Sequence, residues 1–476
     1  MTCGREQGSA GRVTMTASQW PAGWPDEARR LIALAWPVAL TSLNWTLMHL
    51  IDVAVVGRAG VDELAALAAS RSVTFVLIVM GLSALVGTLV FTARADGARD
   101  LRATGACLRS GLLYAAMLGL VLAAMLFLGG EAMLRAAGVA PALVPQGGAV
   151  VRAMALAMPA QLILTVASYF LEGISTPRRV TVVNLAMLPA NAVLAWAWVG
   201  GHLGLPALGA VGAALATATV SIAGAVALLA ACWTVGDAQA RGIRDLTPAA
   251  WRAAWRAVPA LARFGVVPAL TSALELIGFA WLIVLSTRLG DVAAAGFQAM
   301  FSLHNLAFAT ALGFGSAAGV RVGNAVGAGE PEQAAPRTAI AAMLAACGMG
   351  AMGALFWLGR DWIVPPLSAP DPAAIEMGIL LVATLAPFML FDGIQLVLVY
   401  ALRSLGDQVA AGVNGVIAYF GVTGGLGWWL YATGHGAPGL ALACGGGMVA
   451  AALLQGARFV VIARRRALSS KSVRPD

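Results

Sequence analysis

Charge is scarce in this sequence. Only 11% of its 476 residues are Asp, Glu, Lys or Arg, against 60% hydrophobic residues and a mean hydropathy of +0.84, whereas soluble domains carry about 25% charged residues. That deficit excludes a soluble globular chain and leaves a polytopic membrane protein. Lysine is nearly missing too, Lys471 standing alone among 30 basic residues. The five cysteines, Cys3, Cys107, Cys232, Cys347 and Cys444, form no C-x-x-C and no Cys/His spacing. A zinc site and a disulfide framework are thereby excluded, and the thiols read as small core residues. No G-x-S-x-G, P-loop or H-E-x-x-H occurs and the four histidines are isolated, so no enzyme constellation emerges. Residues 1–25 hold no apolar h-region, and the first apolar segment is expected to stay in the chain as a span.

What is present is a series of continuous apolar runs. With about 20 residues needed per span, they give about twelve helices starting near residues 31, 73, 108, 150, 180, 206, 260, 293, 338, 377, 410 and 437. A spanning barrel would show alternating segments of about 10 residues, so strands are not expected. The formal charge of +8 reflects topology, and no nucleic-acid partner is expected. Arg29, Arg30, Arg94, Arg99, Arg102, Arg109, Arg178, Arg179, Arg241, Arg244, Arg252, Arg256, Arg321, Arg337, Arg403 and Arg464 to Arg466 fall in alternate connections and the tails, while the other loops hold Arg58, Arg71, Arg135, Arg288 and Arg360. The asymmetry predicts that both termini are cytoplasmic.

The longest connection contains AWRAAWRAV, with Trp251 and Trp255 on one helical face beside Arg252 and Arg256. It suits either a short helix in the membrane interface or a plain linker helix. On either side the sequence repeats. Ala39-Leu40-Thr41-Ser42 recurs as Ala269-Leu270-Thr271-Ser272, an offset of 230 (269 − 39), and the same offset pairs Gly60 with Gly290 and Gly97 with Gly327. Six spans per repeat make it parallel, with the halves related by an axis along the membrane normal and a cleft between them. We expect an all-α membrane protein with a cytoplasmic tail over 1–30, an N-lobe of six spans over 31–233, a linker over 234–257, a C-lobe of six spans over 258–464 and a cytoplasmic tail over 465–476. Without a nucleotide domain, an ion gradient must power any transport, or it is passive.

Three carboxylates fall inside spans, where a charge costs several kcal/mol, on the order of 3: Asp52, Glu275 and Asp392. Asp52 shares a helical face with His49, Met48 and Asn44. Glu275 has Thr271 and Ser272 one turn before it, and Asp392 has Gln395 at i+3. If the seventh and tenth spans are neighbours, these groups form an oxygen-rich pocket that suits Na⁺. It equally suits a proton, since burial and a second carboxylate both favour the protonated acid. Asn184 and Asn191 share a face of the fifth span and would complete a site with Asp52; Gln298, His304 and Asn305 of the eighth would line the other half. Helix-to-helix hydrogen bonding accounts for each of these equally well. Glu172 reads as an interfacial ion pair with Arg178 and Arg179.

The segments WPVALTSLNWTLMHLIDVAVVG, LARFGVVPALTSALELIGFAWLIVLSTRLG, SAAGVRVGNAVGAGE and FDGIQLVLVYALRSLGD, in this order, resemble the multidrug and toxic compound extrusion (MATE) family and its NorM-like branch, from about Leu31 to Arg464. The resemblance implies a cytoplasmic-membrane antiporter of twelve helices in two lobes, exporting cationic amphipathic drugs in exchange for H⁺ or Na⁺ and needing no other cofactor. It implies that Asp52 is the first-span carboxylate, Pro37 the proline at which that helix bends, Glu275 and Asp392 the C-lobe pair with Na⁺ or H⁺ between them, and Asn191 an N-lobe asparagine. Phe388 replaces a Tyr one turn before the Asp, and Phe297 a His beside Gln298. Losing the Tyr oxygen favours H⁺. Nothing in such a fold needs a second chain to close, so a monomer is expected. A lipid-linked precursor flippase would want a row of basic residues in the cleft, where Arg152 is the main one inside a span. A membrane-embedded enzyme would want catalytic His or paired carboxylates at one membrane face.

Overall fold

The computed structural model describes residues 23–368 and 371–473, with side chains up to Arg465. Cys3, the side chains of Arg466 and Lys471 and most of both expected tails lie outside the described residues. Twelve helical spans follow one another: α1 (Trp24–Gly57), α2 (Val61–Gly97), α3 (Leu101–Ala136), α4 (Val144–Ala155 with Met158–Gly173), α5 (Pro177–Gly200), α6 (Gly209–Trp233), α7 (Pro248–Arg288), α8 (Asp291–Gly327), α9 (Pro331–Ile363), α10 (Pro372–Ser404), α11 (Gln408–Ala432) and α12 (Gly436–Val473). No strand occurs among the described residues. Leu50, Leu128, Val226 and Leu453 point outward, more than half exposed, as a bilayer solvent requires and water would not.

Prolines and glycines mark the ends and breaks. Pro177, Pro248 and Pro372 stand at first helical positions, where the missing N–H costs nothing. Pro159 lacks a donor and crowds the carbonyl of Ala155, and α4 bends there by 43°. Pro37 lies within an unbroken α1, and its carbonyl accepts from the hydroxyls of Thr41 and Thr181, each at 2.9 Å.

Three expectations change. The helix bearing Trp251 and Trp255 runs into the seventh span as one 41-residue helix, with no break at residue 257 despite Pro259 and Pro268. The first helix starts at Trp24, seven residues ahead of the expected boundary at 31 (31 − 24). Arg71, expected in an outer loop, lies in α2, half-buried, and donates to the His49 carbonyl at 3.1 Å.

The halves meet where α1 packs on α8 and α2 on α7. At the end carrying Arg30, Arg94, Arg178 and Arg321, the Arg-rich end, they reach backbone contact. A Cβ on Gly97 would strike the Asn324 backbone, and one on Gly327 the Arg94 backbone. Gly327 follows Gly97 by 230 residues (327 − 97), as Asn324 follows Arg94 (324 − 94), so both belong to one pseudo-twofold contact. Farther along, a Cβ on Gly265 would meet the Ala84 carbonyl and one on Gly313 the Ala35 carbonyl, at 2.5 Å for the latter. Only glycine lets helices come this close. Asn324 donates to the Ala93 carbonyl at 2.8 Å, and Arg94 to the Ser404 carbonyl at 2.8 and 3.1 Å. Arg321 of α8 pairs with Glu27 of α1, its Nε 2.7 Å from Oε1, and Ser83 of α2 meets Ser272 of α7 at 2.9 Å.

Candidate functional site

Asp52 in the N-terminal half and Asp392 in the C-terminal half are buried carboxylates, each with a hydrogen bond from another helix. In the N-terminal half, Asp52 near the end of α1 is 5% exposed. Asn191 of α5 donates its amide to Oδ1 at 2.8 Å, and Thr217 of α6 reaches Oδ2 at 3.3 Å. Both Asp52 oxygens therefore have partners, from two different helices, which fixes the carboxylate where α1, α5 and α6 converge. The expected partners divide otherwise. Asn44 and Asn184 lie two turns away, the Asn44 amide donating to the Asn184 backbone carbonyl at 2.8 Å and Asn184 to Val180 at 3.0 Å. They form a separate link between α1 and α5, and both side-chain carbonyl oxygens are buried without a hydrogen bond. His49 turns toward Arg71, 3.3 Å from its guanidinium.

In the C-terminal half, Asp392 is 1% exposed. Gln395 donates to its Oδ1 at 3.1 Å from one turn along α10, and the Tyr419 hydroxyl of α11 donates to the same oxygen at 3.3 Å. Oδ2 is buried and unpartnered. Tyr419 lies in a π-helical stretch of α11, Val416–Gly424. The wider turn re-aims the side chains that follow, a distortion often found at functional sites. Gly415 opens that stretch beside Glu275, where a Cβ would collide with the Glu275 carboxyl.

The seventh and tenth spans are not packed on one another as the pocket required. α11 runs along α7 and meets α10, so it stands between the two carboxylates, Gly415 against Glu275 and Tyr419 bonded to Asp392, with no hydrogen bond between the carboxylates among the described residues. Neither hydroxyl expected beside Glu275 serves it. Thr271 donates to the Pro268 carbonyl at 3.2 Å, and Ser272 faces Ser83 in the other half. Gln298 and Asn305 are exposed. His304 is buried beside Phe279, Phe301 and Phe308 at centroid distances of 6.1 to 6.2 Å, and Phe279 lies 5.4 Å from the Tyr419 ring. An aromatic wall thus adjoins the Asp392 carboxylate.

Glu172 is the reading that fails. Arg179 turns to the Ala231 carbonyl and Thr234, while Glu172 is 6% exposed and accepts from Ser316 of α8 at 2.6 Å. It sits between the halves, because α4 reaches the seam at its Arg-rich end. Thr217 and Tyr419 went unseen in the sequence. Thr217 lies in an Ala-rich run where a hydroxyl reads as helix packing, and Tyr419 in NGVIAYFG, with no ionisable residue at helical spacing.

Among the described residues no group of three or more His, Cys, Asp or Glu gathers as a metal site, and Cys107, Cys232, Cys347 and Cys444 are free thiols.

The chain matches the family model MatE twice, over residues 37–197 and 268–428, starts that differ by 231 (268 − 37), in line with the internal repeat. A "Probable multidrug resistance protein NorM" of Caulobacter vibrioides is 34% identical over 410 residues, 84% of each chain. A protein of the same description from Bradyrhizobium diazoefficiens is 30% identical, covering 92% of this chain and 94% of its own. Among solved structures, the eukaryotic MATE transporter AtDTX14 superposes with a TM-score of 0.80 at 20% identity over 94% of this chain and 100% of that one. An outward-facing multidrug resistance MATE family transporter of the MOP superfamily reaches 0.83 at 19% identity, over 94% and 97%.

Proposed function

The chain belongs to the MatE family, a multi-pass membrane transporter and not an enzyme, and from that premise we propose that it exports cationic amphipathic drugs across the cytoplasmic membrane in exchange for H⁺ by alternating access of its two halves. The observation that carries the reading is Asp392: a buried carboxylate with two donors on Oδ1, an unpartnered Oδ2 and an aromatic wall beside it. An ionised carboxylate attracts a cation, and aromatic faces add a cation–π and apolar surface that tolerates many shapes. Protonation at Oδ2 cancels the attraction, so proton entry and drug release compete for one negative charge. Glu275, against Gly415, adds a second negative charge to the same region.

The donor set favours H⁺ over Na⁺. A hard cation wants several oxygen lone pairs converging on it, whereas Tyr419 and Gln395 both approach Asp392 Oδ1 as donors and turn hydrogens toward it. In the other half Asp52 has both oxygens engaged by donors from Asn191 and Thr217, which favour its ionised form and hold a negative charge in place.

The test is ethidium efflux from proteoliposomes holding the purified chain, with a pH gradient and a Na⁺ gradient imposed separately. The expected result is efflux driven by the pH gradient alone and lost in Asp392→Asn and Glu275→Gln. Undiminished gradient-driven efflux in both variants would refute the role of the pair, and efflux driven by Na⁺ alone would refute the choice of ion.

A further inference from the structure

A cavity of about 570 Å³ opens at the Arg-rich end, where α1, the start of α5 and α8 come together. Its size lies in the roughly 300–1,000 Å³ range of small-molecule sites. Four guanidinium groups line it: Arg30 of α1, Arg178 and Arg179 of α5, and Arg321 of α8. Arg321 is paired with Glu27 and Arg179 is bound to the Ala231 carbonyl at 2.8 Å. Arg30 and Arg178 have no carboxylate within ion-pair distance among the described residues. The walls therefore carry four positive charges against the one carboxylate of Glu27. Like charges held around one cavity repel, and an anion between them removes the penalty. Ala33 and Leu34, one turn along α1 from Arg30, add apolar surface to the same side of the cavity, and Trp36, one turn beyond Ala33, is 47% exposed.

We infer that this cavity binds the phosphate headgroup of an anionic phospholipid. Arg30 and Arg178 take the phosphate oxygens, for which the planar guanidinium fork is suited, and Ala33 and Trp36, successive turns on the flank of α1, receive an acyl chain. The chemistry recognised is a phosphodiester anion; the apolar surface of Ala33 and Leu34 beside Arg30, continued by exposed Trp36, selects the lipid-borne form over the free ion. Three of the arginines belong to the N-terminal half and Arg321 to the C-terminal half, so the headgroup bridges the seam. It binds when the halves meet at this end and thereby favours that arrangement.

The purified full-length chain in an uncharged detergent is titrated with dioctanoyl phosphatidylglycerol, with dioctanoyl phosphatidylcholine and with inorganic phosphate, and the thermal unfolding midpoint is recorded. Phosphatidylglycerol is expected to raise the midpoint while the other two leave it in place. With about one factor of five per basic residue, R30Q/R178Q is expected to need on the order of 30-fold more lipid. If that double variant does not purify, Arg178→Gln alone, an exposed first-turn residue, is expected to need roughly fivefold more, and Arg178→Lys, which keeps the charge but not the fork, to fall between that variant and the parent. A midpoint raised equally by phosphatidylcholine overturns the site, as does a variant that titrates like the parent. An equal response to phosphate overturns the lipid assignment and gives the cavity to a free anion.

Discussion

Tyr419 donates its hydroxyl to Asp392 across 3.3 Å, from a different helix. Phe388, one turn before the Asp on α10, has no oxygen to offer, and Tyr419 on α11 supplies one in its stead. The phenol is held in a π-helical stretch and tilted against Phe279 at 5.4 Å, so it arrives with little freedom left to lose.

Removing that hydroxyl should therefore be costly for transport. A hydrogen bond to a charged group contributes about 1.5–3 kcal/mol, so Tyr419→Phe is expected to lower pH-driven ethidium efflux roughly tenfold or more while leaving the fold intact. Efflux from proteoliposomes with protein amount matched checks it; a rate equal to the parent's would separate Tyr419 from the transport site.

In the N-terminal half the contributions of Asn191 and Thr217 to Asp52 should be coupled. Asn191→Ala or Thr217→Val strips a partner from a buried carboxylate, at a cost of about 1–3 kcal/mol each. Combined with Asp52→Asn, either loss should shrink, because the charge needing those donors is gone. A double-mutant cycle on thermal unfolding reads the coupling; strictly additive losses would show that the three side chains do not act as a unit.

Ser316 is expected to matter through Glu172 alone. Ser316→Ala leaves a carboxylate buried at the seam without its 2.6 Å donor, and the unfolding midpoint should fall by the equivalent of about 1.5–3 kcal/mol. Pairing it with Glu172→Leu should recover most of that loss, since an apolar pair of similar shape leaves nothing unsatisfied. No recovery would mean that Ser316 contributes by packing.

Gly97→Ala and Gly327→Ala each place a methyl against the backbone of the opposite half. Overpacking of this kind costs about 1–3 kcal/mol, and here it pushes the halves apart at the Arg-rich end. Paired cysteines engineered across the seam should cross-link more slowly in both variants, and to a similar degree, because the two contacts are equivalents in the repeat. A slower rate in only one of them would contradict that equivalence.

The spans, their number and the parallel repeat were legible in the sequence because they are written in long apolar runs and a constant offset. Asp52, Glu275 and Asp392 stood out for the same reason, as charges where none is cheap. Two of their partners were legible as well: Gln395 by its helical spacing from Asp392, and Asn191 as the residue completing a site with Asp52. Thr217 and Tyr419 were not, because they sit in runs whose periodicity says nothing about a neighbour on another helix. Helical spacing placed Thr271 and Ser272 beside Glu275, but a hydroxyl inside a helix readily bonds its own backbone, as Thr271 does, or a facing helix, as Ser272 does. Glu172 misled because proximity in sequence to Arg178 and Arg179 says nothing about the direction of a side chain at the end of a bent span. The bend at Pro159 carries the last turns of α4 to the seam instead.

The glycine contacts at the Arg-rich end have the reciprocity of a symmetric dimer: position 97 meets 324, and position 327 meets 94. Such an interface is self-complementary, which two identical subunits would need and a single fused chain does not. Fusion keeps the geometry but lifts the requirement of identity, because a mutation now falls in one copy and not both. That is how Trp45 can stand where the second copy has Glu275, and Leu282 where the first has Asp52. The seam contact remains a duplicate, and the carboxylates on either side of it have become two different inheritances.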